Sequence, residues 1–130
     1  MDAYTMALFG EAEKGDYRTA YFCHSLDQLL DALGNPPPQS RGLHYAVQAL
    51  LYHRELIFFR VREEGFSYQD YLLGLNNLKN AALTRISAIC LPGVGDSEII
   101  DAISPICAIH HSILITNEAD FYDYLTELSA

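Results

Sequence analysis

The chain has 130 residues, enough for one hydrophobic core and too few for two domains, so a single domain spanning residues 1–130 is expected. Half of its residues are apolar, 12% are aromatic and 19% are charged, the balance of a folded domain rather than a disordered one. Eight Lys and Arg stand against 17 Asp and Glu, a formal charge of −9, and with no clustering of the basic residues this excludes nucleic acid as the expected partner.

The first expected element is a strand over Tyr4 to Phe9, stopped by Gly10 and followed by a charged loop that closes in Lys14-Gly15-Asp16. Thr19 to Cys23 reads as a second strand. Ser25 and Gln28 then have capping-box spacing, and Leu26, Leu29, Leu30 and Leu33 form one helical face ended by Gly34. Asn35 and the three prolines behind it cannot continue a helix and predict an extended connector. Leu43, Ala46, Val47, Leu50 and Leu51 repeat the helical spacing, and LIFFRV, residues 56–61, is the most strand-like window in the chain.

Ser67 is expected to cap a helix with Tyr71, Leu72, Leu75 and Leu78 on one face, and residues 86–91 form the next strand. Asp96 is the expected cap of the helix carrying Ile99, Ile100 and Ile103, which Pro105 is expected to interrupt or restart. SILIT, residues 112–116, reads as the last core strand, and Asn117 as the cap of a final helix that turns Phe121, Tyr124, Leu125 and Leu128 inward. Strands alternating with helices, with central strands apolar on both faces, predict an α/β three-layer sandwich: a mostly parallel sheet with helices on both faces.

No apolar run approaches the ~18 residues that span a bilayer, and no basic segment leads a hydrophobic one at the N-terminus, so a cytoplasmic protein with no membrane partner is expected. Cys23, Cys90 and Cys107 are odd in number and set in apolar runs, as buried small hydrophobes are. Arg54, Arg60 and Arg62 lie among Glu55, Glu63 and Glu64 and read as paired surface charge.

Ligands of parallel sheets sit beyond the carboxyl ends of the strands, which singles out Leu91 to Asp96, LPGVGD. Gly93 and Gly95 would free backbone N–H groups for a phosphate or another small ligand, but Asp96 puts a negative charge there and neither GxxxxGK[ST] nor GxGxxG is present. A glycine turn with an Asp cap is the expected role. Asp96, Asp101, Glu118 and Asp120 form the alternative, a metal-dependent nuclease: this part of the chain resembles the C-terminal part of PIN-type ribonucleases, where carboxylates hold a divalent metal. Those enzymes also carry an acidic residue at the end of the first strand, where this chain has Phe9-Gly10 with Glu11 just beyond. His24, His44 and His53 lack ligand spacing, adjacent His110 and His111 point to different sides, and no nucleophile elbow is present. No catalytic residue, metal or cofactor is expected from the residues themselves.

Taken in order, the punctuated segments resemble the α/β domain of contractile phage tail sheath proteins. The matches are Gly10, Ala12 and Gly15 to a G-x-A-x-x-G stretch after the first strand, Ser25 to Gly34 to a Ser-led helix, Tyr45 to Val61 to a helix before a strand ending in Arg-Val, Gly74 to Leu78 to a "GL..L" helix, and Leu91 to Asp96 to a strand ending in "PGv.d". The resemblance as a whole covers roughly residues 5–117. The resemblance implies a phage-related structural protein without enzymatic activity, whose contacts are to copies of itself or to a protein partner. Sheath subunits join through terminal arms that add strands to neighbouring sheets; this chain begins almost on its first strand and ends shortly after its last helix, so those arms are not expected here.

Overall fold

The computed structural model describes residues 5–17, 19–35, 37, 40–80, 86–95, 97–110 and 112–129. Pro36, Pro38, Asp96 and His111 lie outside the described residues, as do the side chains of His110 and Leu128. The elements are β1 (Thr5–Gly10), β2 (Ala20–Cys23), α1 (Leu26–Leu33), α2 (Gly42–Leu51), β3 (Glu55–Arg60), α3 (Tyr68–Asn80), β4 (Ile86–Cys90), α4 (Ser97–His110), β5 (Ile113–Ile115) and α5 (Glu118–Ser129). They form an α/β fold around one five-stranded sheet of order β2-β3-β1-β4-β5. β1 pairs in parallel with β3 and β4, β4 in parallel with β5, and β2 alone runs antiparallel to β3.

Strand periodicity sorts the core. Every residue of β1 is buried, and successive side chains go to opposite faces. Met6 and Leu8 join Leu29 and Leu33 of α1, Leu43 and Ala46 of α2, and Phe121 and Leu125 of α5. Ala7 and Phe9 join Tyr71 and Leu75 of α3 and Ile99 and Ile103 of α4. Each Leu, Ile, Met or Phe among them contributes about 1.5–3 kcal/mol when fully buried, so the apolar strand windows dominate the fold energetically. Gly74 of α3 sits where the helix meets this sheet: a Cβ there would stand 2.4 Å from the Phe9 ring and 2.9 Å from that of Phe59.

The caps at Ser25 and Asn117 form as expected, with Gln28 N–H donating to Ser25 Oγ and Asp120 N–H to Asn117 Oδ1. Ser67 directly precedes α3, its carbonyl accepting from the N–H groups of Asp70 and Tyr71 and its hydroxyl bonded to the N–H and carbonyl of Glu63. Three local expectations differ. α4 runs through Pro105 without a break. Residues 113–115 form a short edge strand rather than a core one, with Ile113 exposed. Leu30 and Leu51 face solvent although their spacing matches the buried faces, because α1 and α2 each meet the sheet along a narrower stripe than their apolar pattern covers.

Candidate functional site

Because β1, β3 and β4 are parallel, their carboxyl ends and the loops after them lie at one end of the sheet. The connection after β1 leads to α1 and α2 on one face, and that after β4 leads to α4 on the other. The β1/β4 boundary is therefore a topological switch point, where open α/β sheets leave a crevice for ligands. Near it the chain supplies its own anion. Glu64, in the loop after β3, accepts hydrogen bonds at Oε1 from Ser40 Oγ (3.0 Å), Gly42 N (2.8 Å) and Glu11 N (3.3 Å), and at Oε2 from Arg41 N (2.7 Å). Glu11 returns the contact by accepting from Glu64 N at 2.9 Å. The carboxylate thus sits on the amino end of α2, where the helix dipole favours negative charge. The approach is close enough that a Cβ on Gly10 would lie 2.8 Å from Gly42 Cα.

The Leu91 to Gly95 corner is a turn, with Val94 N–H donating to Leu91 O and Gly93 at a φ of +77°, a value side-chain-bearing residues rarely adopt. It packs against the loop after β3, since a Cβ on Gly65 would lie 2.7 Å from Gly93 O. Gly65 N–H donates to the hydroxyl of fully buried Tyr71. Burial pushes that phenol well above its ordinary value, partly offset by this backbone hydrogen bond. Asp96, the expected cap, lies outside the described residues.

Arg54 and Arg60 are not surface charges. Arg54 donates to the carbonyls of Tyr52 and Leu125, tying the start of β3 to α5. Arg60 is buried at the end of β3, donates to the carbonyls of Ala12 and Gly15, and has its guanidinium carbon 4.1 Å from the Tyr17 ring centroid. The charges are met by backbone carbonyls and an aromatic face, which local sequence does not display. Glu55 bonds His24 at 3.2 Å instead, and only Arg62 of the three arginines is exposed.

Three residues of the nuclease alternative, Asp101, Glu118 and Asp120, are described, and Asp101 lies apart from the other two. Asp101 is exposed on α4, which packs on the opposite face of the sheet from α5. Asp120 is engaged in the Asn117 cap, and Glu118 lines a groove between α2 and α5. Among the described residues no three His, Cys, Asp or Glu side chains are placed to hold a metal ion. Cys23 and Cys90 are buried, and burial pushes both thiols up. No protein-family model, curated protein or solved structure matches this chain.

The groove between α2 and α5 has a volume of about 380 Å³ and is lined chiefly by Arg41, His44, Tyr45, Gln48, Glu118 and Tyr122. Both helices begin at the carboxyl end of the sheet, and the groove runs along their first turns. Arg41, His44, Tyr45 and Gln48 fall at i, i+3, i+4 and i+7, one side of α2, while Glu118 and Tyr122 are four apart on α5. Sequence reading passed over this set because the same helix carries the stronger apolar pattern of Leu43, Ala46 and Leu50. The available signal was the second, polar stripe of R-x-x-H-Y-x-x-Q at residues 41–48.

Proposed function

We propose that the chain is a non-enzymatic structural domain working through protein contacts, a reduced relative of the contractile tail sheath subunit, with helices layered on both faces of its sheet as a three-layer sandwich. The observation that carries this reading is the pair of sheet edges. β2 and β5 close the strand order at its two ends, and each turns an apolar side chain outward, Phe22 at 63% and Ile113 at 54% exposure. Edge strands offer unpaired N–H and C=O groups to a strand from another chain, and apolar side chains beside them add affinity. The occupant in this reading is a second copy of the chain.

The residues of the sheath resemblance support it as structural parts. Arg60, from the Arg-Val strand end, donates to Ala12 and Gly15 of the G-x-A-x-x-G stretch, and Gly93 of the "PGv.d" corner makes a turn. Both motifs are accounted for by packing. The charge of −9 fits protein contacts better than nucleic acid, and among the described residues no helix is long and apolar enough to cross a membrane. A cytoplasmic location belongs to the same proposal.

The test is light scattering coupled to size exclusion over a concentration series. Growth in mass with concentration is expected, with Phe22→Lys or Ile113→Lys returning the protein to a monomer. A wild-type monomer up to the solubility limit overturns the reading.

A further inference from the structure

We infer that the groove between α2 and α5 is a binding site for a small zwitterion of the α-amino-acid class, carboxylate toward α2 and ammonium toward α5. It stands independently of the assembly reading. Three observations converge on it. The first is Tyr45, which lines the groove at 5% exposure with its ring 4.4 Å from that of Phe121, centroid to centroid. Its hydroxyl oxygen is buried, with the Arg41 side chain beside it and no hydrogen bond of ordinary geometry to any described residue. A buried hydroxyl left unpaired costs about 1–3 kcal/mol, and a ligand oxygen in the groove relieves that cost.

The second is how charge divides across the groove. α2 brings the Arg41 guanidinium, His44, the Tyr45 hydroxyl and the Gln48 amide, a set rich in donors; α5 brings the Glu118 carboxylate, an acceptor. A simple anion would meet Glu118 and a simple cation would meet Arg41, whereas a molecule with both charges satisfies both walls. Val47 and Tyr122 add apolar surface for a side chain. The third is position. The groove runs along the first turns of two helices that start at the carboxyl end of the parallel sheet, and its volume of about 380 Å³ lies in the small-ligand range. The amino end of α2 is not itself the anion site, because Glu64 already occupies the Arg41 and Gly42 N–H groups.

The test titrates L-phenylalanine and L-leucine into ¹⁵N-labelled protein, with 3-phenylpropionate and phenethylamine as probes that keep one charge each. Saturable shifts are expected at residues 41–48 and 118–122 for the amino acids, with each single-charge probe at least about tenfold weaker. Tyr45→Phe removes one hydrogen bond to a charged group and should weaken the amino acids about tenfold, while thermal unfolding of the unliganded variant shows that it still folds. Glu118→Gln should weaken the amino acids and leave 3-phenylpropionate unchanged. Absence of saturable binding by either amino acid overturns the site. Undiminished binding to Tyr45→Phe overturns its location, and 3-phenylpropionate binding as tightly as L-phenylalanine overturns the ligand class.

Discussion

Glu64 ties its loop to two segments distant in sequence: the end of β1 through Glu11, and the connector running into α2 through Ser40, Arg41 and Gly42. Hydrogen bonds to a charged group are worth about 1.5–3 kcal/mol each, but they share one carboxylate and are not additive. Glu64→Ala is therefore expected to lower the unfolding free energy by about 2–3 kcal/mol in urea denaturation. Glu64→Gln should cost less, because one carbonyl oxygen still accepts while the amide nitrogen meets donors. At this scale the sequence was hardest to read. Glu64, Arg54 and Arg60 are charged residues in a charged neighbourhood, and what distinguishes each is a set of backbone groups brought from elsewhere by the fold.

Among the elements, α4 shows how tertiary packing overrides a local signal. Pro105 lacks an N–H and is disfavoured by about 3 kcal/mol in a helix interior. The helix nonetheless continues, with Ile99, Ile103 and Ile106 held in the core on one side and Pro105 itself exposed on the other. On the solvent side water can satisfy the carbonyl that the proline leaves without a donor. Pro105→Ala should therefore stabilise the protein, by about 2 kcal/mol after allowing for the freedom the substitution gives the unfolded chain, measured by the shift in denaturation midpoint. Gly74 in α3 shows the opposite balance: alanine is the better helix former by about 1 kcal/mol, but a Cβ would overlap the Phe9 ring.

For the molecule as a whole, buried acids of high pKa set the response to alkali. Burial raises Cys23, Cys90 and Cys107 above 9.0, and Tyr45 and Tyr71 above 10.0, with Arg41 at Tyr45 and the Gly65 hydrogen bond at Tyr71 pulling weakly the other way. Between the ordinary and raised values the folded chain keeps protons that the unfolded chain has released. Stability is then fully present below pH ~9 and falls as pH rises through the folded values, by about 1.4 kcal/mol per pH unit for each proton so retained. Urea denaturation from pH 7 to 11 should show this decline, and Cys90→Ala should make it shallower. A flat profile above pH 9 would show that these groups are more solvated than their packing indicates.

The sequence by itself determined the order of elements, the apolar windows of β1, β3 and β4, and the caps at Ser25 and Asn117, because these depend on periodicity and hydrogen bonds within a few residues. It also placed the turn at Gly93, where backbone conformation restricts the residue. Only the tertiary structure decided that Arg54 and Arg60 are buried, that Glu64 occupies the amino end of α2, and that Tyr45 and Glu118 share a groove. The physical reason is common to all three. Apart from Tyr52 beside Arg54, the partners of these groups lie more than ten residues away in sequence, so their roles follow from strand order and crossover, which local pattern does not encode.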